Sequence, residues 1–534
     1  MMQREQAVGQ LKENNFDILV IGGGATGSGI ALDAATRGLK VALVECDDFA
    51  SGTSSKSTKL IHGGVRYLEQ AVKRLDRGQL HLVKDALKER AILLKNAPHL
   101  TRPLALLTPL YKTFQKPYYR LGLKMYDWLA GKANLFPSKA VSSKKALQIF
   151  PMLKPKNLKG GVIYSDGQFD DARMNVAIAM TALEQGAVIA NHIKVVEIMK
   201  GDGKVCGAHV LDRLSDEKFS IHAQMVINAT GPFTDSIRKM DDPQALPMLK
   251  VSSGIHIVLD KRFSPPDTGL LIPKTEDGRV LFLLPWLEHT LVGTTDNPAN
   301  IEANPKPSEQ DIEYILRHIK LYFDIPITRK EVLAAWSGLR PLVSNPQKSD
   351  TAKLSRDHVI EVSDSGLMSV TGGKWTTYRK MALDAVDYAL QRAHFKNAGP
   401  SKTENTKLVG GRRYKASLRQ ELANEYGFSD LVAHHLALAY GGRAREVADL
   451  SKRAYSHLLA QGHPYLEAEV LYAVRQEMAR TAVDVLARRT RLAFLDQRAA
   501  REALPKVIEL MEKELSWDEE RKKREEKEAI EYLS

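Results

Sequence analysis

An apolar run stopped by a glycine, a small-residue helical stretch behind it and a second apolar run ending in an acid predict an α/β chain. The runs are residues 16–21, before Gly22, and residues 41–44, before Glu45, with the helical stretch over 25–37. Strand, glycine turn, helix and parallel strand make the βαβ unit that opens a Rossmann-like, dinucleotide-binding fold. Residues 250–295 then alternate apolar and polar side chains (SGIHIVLD, GRVLFLLPW, LVGTT). That period predicts an antiparallel sheet, read as a substrate domain. From about residue 400 the pattern is helical. The expected division is a nucleotide domain in three parts (14–100, 161–245 and 336–395), a basic aromatic insertion (101–160), an antiparallel substrate domain (246–335) and a helical C-terminal domain (400–534).

The elements follow in order. Residues 48–68 are rich in Ser, Thr and Gly and predict a loop and a turn. Helices are expected over 79–95 and over 171–186, the second stopped by Gly186. Short β-rich pieces lead to a strand at 225–228. Residues 367–390 repeat strand, Gly-Gly turn and helix. Val474, Met478 and Val485 keep helical spacing and are expected on one packed face. Residues 512–531 hold nine acidic and six basic side chains, which predicts a solvated helix or tail.

Composition narrows the function. A chain of 534 residues exceeds one simple domain, and 43% hydrophobic with 26% charged residues argues against disorder. Cys46 and Cys206 are the only cysteines, so neither a disulfide framework nor a metal site is expected. The first twenty residues lack a basic stretch followed by an apolar one, and Glu5 and Glu13 argue against a transit peptide. No apolar run approaches the ~20 residues that cross a bilayer. The net charge of +13 admits nucleic acid, an anionic membrane or an anionic substrate. Its location decides. Residues 101–160 carry twelve Lys and Arg against one acid, Asp127, interleaved with Tyr111, Phe114, Tyr118, Tyr119 and Trp128. Basic and aromatic residues on a short amphipathic element mark an interfacial membrane contact, with each cation near anionic lipid worth ~1 kcal/mol. A peripheral anionic membrane surface is the expected partner. Nucleic acid is not expected, because no binding motif accompanies the charge.

GGGATG at 22–27 fits G-x-G-x-x-G. Gly22 permits the tight turn, Gly24 lets backbone approach a pyrophosphate, and Gly27 permits close packing of helix on strand. The helix N-terminus offers unpaired N–H groups to phosphate. Glu45 stands where an acid accepts hydrogen bonds from the adenosine ribose, and it would repel the 2′-phosphate of NADP. Two later turns, INATGPFTD (227–235) and SVTGGKWTTYRK (369–380), bear on the choice between NAD and FAD. A flavin is long and needs backbone N–H groups at its far end. Residues 372–376, with Gly372, Gly373 and Thr376, can supply them, and Gly231 marks the turn between. Three such turns favour FAD.

Together with these turns, DFASGTSSKSTKLIHGGVRYLEQ (48–70), SGIHIV (253–258), LVGTTD (291–296) and WSGLRPL (336–342) resemble the FAD-dependent glycerol-3-phosphate dehydrogenases. The resemblance spans about residues 15–390 and continues more weakly into the helical end. MYDWLAG and YSDGQFDDARMN place it nearer the mitochondrial type, without a transit peptide or a D-x-[DN]-x-[DN]-G calcium loop. It implies FAD as cofactor and oxidation of sn-glycerol 3-phosphate to dihydroxyacetone phosphate, with hydride to flavin N5 and electrons passed to membrane quinone. It also implies a peripheral position on the cytoplasmic face of the inner membrane, with cytoplasm or the mitochondrial inner membrane as alternatives. A homodimer stays open.

Oxidising a secondary alcohol requires a phosphate clamp, an aimed carbon and a group to handle the proton. Arg66, Arg340, Lys374 and Arg379 are the candidate cations for a dianion; the resemblance brings Arg66, Arg340 and Lys374 onto the substrate. His256, on the alternating strand, suits a general base. Arg340 can instead stabilise the developing alkoxide, and sequence leaves both roles open. Thr53, Ser54, Ser55, Thr58 and His62 are expected near FAD, and Tyr67 and Thr295 in the pocket. Two rival activities remain: a soluble oxidase that uses oxygen, and an amine or amino-acid oxidase with the same flavin domain.

Overall fold

The runs NFDILVI and VALV form β1 (Asn15–Ile21) and β2 (Val41–Val44), hydrogen-bonded in parallel. Continuous apolar runs are what a parallel strand needs when both its faces are covered. In the computed structural model the described residues are 3–64, 77–112, 115–343 except 274 and 277, and 358–534 except 394, 396 and 397. Two sheets order them. The first continues with β7 (Val188–Ala190), β8 (Ile193–Gly201), β9 (Lys204–Asp212), β10 (Lys218–Asn228), β17 (His358–Val362) and β18 (Met368–Gly372). Its main path runs β17-β18-β10-β1-β2-β7, with β18, β10, β1, β2 and β7 parallel. Helices Ala25–Thr36, Asp171–Glu184 and Tyr378–Ala393 pack side by side against it.

The second sheet holds β3 (Leu60–Ile61), β4 (Thr101–Leu110), β5 (Lys139–Val141), β6 (Gly160–Phe169), β11 (Leu249–Asp260), β12 (Thr268–Ile272), β13 (Leu281–Trp286), β14 (His289–Gly293), β15 (Asn297–Pro298) and β16 (Val332–Val343). The alternation read in the sequence sorts its faces. Ile255, Ile257 and Leu259 pack with Ile315 and Ile319 of the helix Glu309–Tyr322. The opposite face, with Leu104, Val258 and Trp336, joins Val507 and Met511 of the C-terminal helix Gln497–Leu515. His256 sits on the β11 positions that alternate with the first set.

The domain boundaries differ from the sequence expectation. Residues 101–160 are not an insertion: β4 lies inside the second sheet, between β12 and β6. β4 reads TRPLALLTPL and carries only Arg102 of the twelve cations; the other eleven follow it, so a charge count over sixty residues hid a strand. β6 and β16 also belong to this sheet rather than to the nucleotide half, because their partners are β4 and β11. The packed face expected of Val474, Met478 and Val485 is buried, but the helix Glu467–Glu477 ends before Met478, which turns left-handed at φ 57°. The last helix, Glu519–Leu533, docks through Ala529 and Leu533 and is not a free tail.

The helical end is joined to the nucleotide half by buried ions. Asp48 meets Arg488 at 2.5 Å and Arg489 at 2.7 Å, and Arg173 meets Glu477 at 2.6 Å, all buried. Buried pairs stabilise little against an apolar substitute, but removing one partner strands the other charge. Asp48→Ala is therefore expected to cost about 3–5 kcal/mol, read as a lowered midpoint in thermal or urea denaturation.

Candidate active site

Gly22 leaves β1 at φ +107°, where a Cβ would stand 2.7 Å from the Ala229 carbonyl oxygen. A Cβ on Gly27 would stand 1.8 Å from the Gly22 oxygen. The turn therefore closes only with glycine at both positions. The Gly23 N–H donates to Glu45 Oε2 at 2.6 Å and the Asp47 N–H to Oε1 at 3.0 Å. Loss of hydration at the end of β2 pushes the Glu45 carboxyl up to about 7, against the pull of those two amides. The Ala25 N–H, at the start of its helix, donates to Ser54 Oγ at 2.9 Å.

The three turns seen in the sequence line one cavity of about 470 Å³. Gly22 and Gly24 come from the first, Thr230 and Gly231 from the second, and Gly372, Gly373 and Lys374 from the third. Glu45, Thr53 and Ser54 complete the wall. Gly231 at φ +57°, Gly372 at +81° and Gly373 at +68° take backbone angles open to glycine. Trp375 pins the loop to the third turn, donating Nε1–H to the Ser54 carbonyl at 2.8 Å. An acid for a ribose, a helix N-terminus for a pyrophosphate and a distant glycine turn for a ring edge, all on one cavity, fit FAD. Gly22, Gly24, Glu45 and Ser54 would hold its adenosine diphosphate part, and the 372–374 turn its far end.

His256 and Arg340 do not line this cavity; they stand on the paired strands β11 and β16, and β16 reaches it at Pro341. In the antiparallel pairing of β11 with β16, His256 faces Trp336 and Ser252 faces Arg340. The His256 and Trp336 rings stack at 4.3 Å. His256 Nε2 meets Thr58 Oγ1 at 3.0 Å, and the buried Nδ1 has no hydrogen-bond partner. Burial, then the charges of Lys59 and Arg340, hold the imidazole well below its ordinary pKa, so it is neutral at neutral pH. The Arg340 guanidinium lies over Gly254, where a Cβ would be 2.0 Å from Nη2. Thr294 Oγ1 and the Thr295 carbonyl accept from Nη2, each at 3.0 Å, and Asp296 from Nη1 at 3.3 Å. Pro341, next in the chain, lines the cavity with Lys374.

Other sequence candidates stand elsewhere. Arg379 is a correction: its buried guanidinium grips Glu89 at 2.8 and 2.5 Å and faces Thr403 at 3.4 Å, tying two helices. Ser55 closes its own turn on the Gly52 carbonyl, Thr58 serves His256, and Thr376 is buried off the wall. Thr295 Oγ1 accepts from the Ile255 N–H at 3.1 Å. His62 follows β3 and does not line the cavity. Arg66 and Tyr67 lie outside the described residues. Trp336, Trp375 and Lys59 were not singled out from the sequence, although all three stand inside quoted motifs; for Trp375 a tryptophan right after a Gly-Gly turn was the available signal.

Three glycine turns on adjacent parallel strands, lining one cavity together with Glu45, are the dinucleotide site of an FAD-dependent oxidoreductase. The family model described as FAD dependent oxidoreductase matches residues 17–379, and that described as C-terminal domain of alpha-glycerophosphate oxidase matches 401–522. The chain is 52% identical to the mitochondrial glycerol-3-phosphate dehydrogenase of Mus musculus, over 99% of this chain and 75% of that protein. It is 47% identical to a mitochondrial glycerol-3-phosphate dehydrogenase of Arabidopsis thaliana, over 99% and 88%. It aligns with the crystal structure of the glycerol-3-phosphate dehydrogenase from Bacillus halodurans complexed with FAD at a TM-score of 0.81 and 34% identity, covering 99% and 97%. The chain belongs to the FAD-dependent glycerol-3-phosphate dehydrogenase family.

If Arg379 serves the helices and not the substrate, Arg379→Met strands Glu89. A loss of about 3 kcal/mol in stability is expected, with KM for glycerol 3-phosphate unchanged in steady-state assays of the FAD-loaded variant.

Proposed function

We propose that this chain oxidises sn-glycerol 3-phosphate to dihydroxyacetone phosphate and passes the electrons to a quinone from a peripheral position on an inner membrane. The observation that carries the reading is a neutral, buried His256 and an oriented Arg340 on the paired strands β11 and β16, the second followed by Pro341 of the cavity wall. FAD, when bound, takes up the two electrons and the hydrogen that leave the carbinol carbon. Arg340 and Lys374 supply the positive charge that a phosphate dianion requires. Arg340 is held in place by Thr294, Thr295 and Asp296 before substrate arrives, so little reorganisation is needed when charge develops. His256 accepts the hydroxyl proton, since a neutral imidazole has a lone pair for it at neutral pH. Its lowered pKa puts protonation, and with it the loss of the base, well below pH 6.5.

The acceptor is argued from the helix Gln115–Ala130. It buries Leu123, Tyr126 and Ala130 but leaves Leu121 at 67% and Trp128 at 79% exposure, with Arg120 and Lys124 exposed beside them. Two large apolar side chains one heptad apart, flanked by cations, suit the boundary of an anionic bilayer. Among the described residues no helix is long and apolar enough to cross a membrane, so the proposed contact is interfacial. The rival acceptor is oxygen.

Anaerobic addition of glycerol 3-phosphate to the purified yellow protein is expected to bleach the flavin, and a soluble quinone analogue to restore it. Arg340→Met is expected to lower kcat/KM by about 10²–10³. Bleaching by glycine or sarcosine in place of glycerol 3-phosphate, or peroxide equal to substrate consumed, would overturn the reading. The double variant Leu121→Ser, Trp128→Ser is expected to sediment less with vesicles of anionic phospholipid and to keep its turnover with the soluble quinone analogue.

A further inference from the structure

His256 is braced from the far end of the chain. Its partner Thr58 lies between Ser57 and Lys59, and both neighbours are tied to one carboxylate. Asp171 Oδ2 accepts from the Ser57 N–H at 3.0 Å, from Ser57 Oγ at 2.7 Å and from Lys59 Nζ at 2.6 Å. Lys59 Nζ donates further to the Ser55 carbonyl at 2.7 Å. Arg491 Nη2 reaches the same carbonyl at 2.7 Å and Asp171 Oδ1 at 3.3 Å. Lys59, Asp171 and Arg491 are all buried. Arg491 lies within the segment that matches the C-terminal family model, some 430 residues from the loop that it holds.

A buried ion cluster is often only structural, and such a cluster rarely stabilises more than apolar packing would. Two observations exceed that role here. Lys59 and Arg491 hold left-handed backbone angles, φ 64° and 68°, which a long side chain adopts at a cost of ~1–3 kcal/mol, of the kind kept at functional sites. Lys59 Nζ, whose pKa burial pulls down to about 7 so that it is an ammonium over the acid limb, is also delivered to one place: it lies 4.5 Å from the centroid of Trp336, the ring stacked on His256, and 5.2 Å from that of Trp286.

We infer that Lys59, Asp171 and Arg491 are positioning residues for His256: they aim the Thr58 hydroxyl at Nε2 and fix a positive charge against the Trp336–His256 stack. None of the three lines the FAD cavity. The inference rests on His256 as the proton acceptor. The charges facing His256 are Lys59 from the loop and Arg340 from β16, each with its carboxylate, Asp171 and Asp296, and Arg491 behind Asp171. Both nearby cations disfavour the imidazolium. Removing one lets the ring take a proton more readily, so the acid limb of the pH profile moves to higher pH.

The test uses the FAD-loaded enzyme with Lys59→Met, Lys59→Arg and Thr58→Val. It reads the pH profile of kcat/KM and, without turnover, the titration of ¹³C-labelled histidine. The His256 resonance is assigned by its loss in His256→Gln. Lys59→Met is expected to raise the acid limb and the His256 titration together by about one pH unit, and Lys59→Arg to restore most of the shift. A wild-type limb and titration in Lys59→Met would overturn the inference. If Lys59→Met does not fold, Thr58→Val decides: it removes only the hydroxyl, is expected to displace the His256 titration and lower kcat/KM, and overturns the inference if it changes neither. Wild-type kcat/KM in His256→Gln would instead sink the assignment of the base.

Discussion

Ile21, Asn228 and Ser369 stand in one row across β1, β10 and β18. The three strands are parallel, so the chain leaves all of them on the same edge of the sheet. The turns that follow are therefore neighbours, although residues 22, 231 and 372 are far apart in sequence. An antiparallel strand among them would have carried its turn to the opposite edge. Ligands of open parallel sheets bind outside the carboxyl ends of the strands for this reason. Glu45, at the end of β2, joins the row by the same rule.

The second sheet sets how His256 and Arg340 are presented. Antiparallel pairing puts His256 opposite Trp336 and Ser252 opposite Arg340, two residue pairs on the same two strands. The period of two sends Ile255 and Ile257 into an apolar core and leaves His256 on the face toward Thr58 and Lys59. One register therefore fixes the imidazole and the guanidinium together, and a slip by one residue would bury the histidine in the aliphatic core.

The helical end does more than cover this sheet. Its buried arginines meet Asp48, beside the cavity wall, and Asp171, which holds Ser57 and Lys59 on either side of His256's partner Thr58. Each of those carboxylates lost its water on folding and is compensated by cations from about residue 490. The loop at 48–59 is thus held by side chains from the opposite end of the chain.

Much of this was legible in the sequence, because its signals are local. The βαβ opening follows from apolar runs and glycines within thirty residues. The antiparallel sheet follows from a period of two, and the glycines at 22, 231, 372 and 373 from the backbone angles that turns demand. Partners were not legible. Arg340 and Arg379 carry the same charge in similar glycine- or threonine-rich surroundings, yet one is held by Thr294 and Thr295 and the other grips Glu89. Lys59 and Arg491 look like ordinary surface cations until Asp171 is placed between them. β4 vanished inside a basic window because its pairing with β6 and β12 is long-range. The sequence alone determined the class of fold and the cofactor it suits, since propensity and spacing act between near neighbours. Only the tertiary structure decided which carboxylate or carbonyl each charge meets, because an ion pair depends on distances that chain order does not contain.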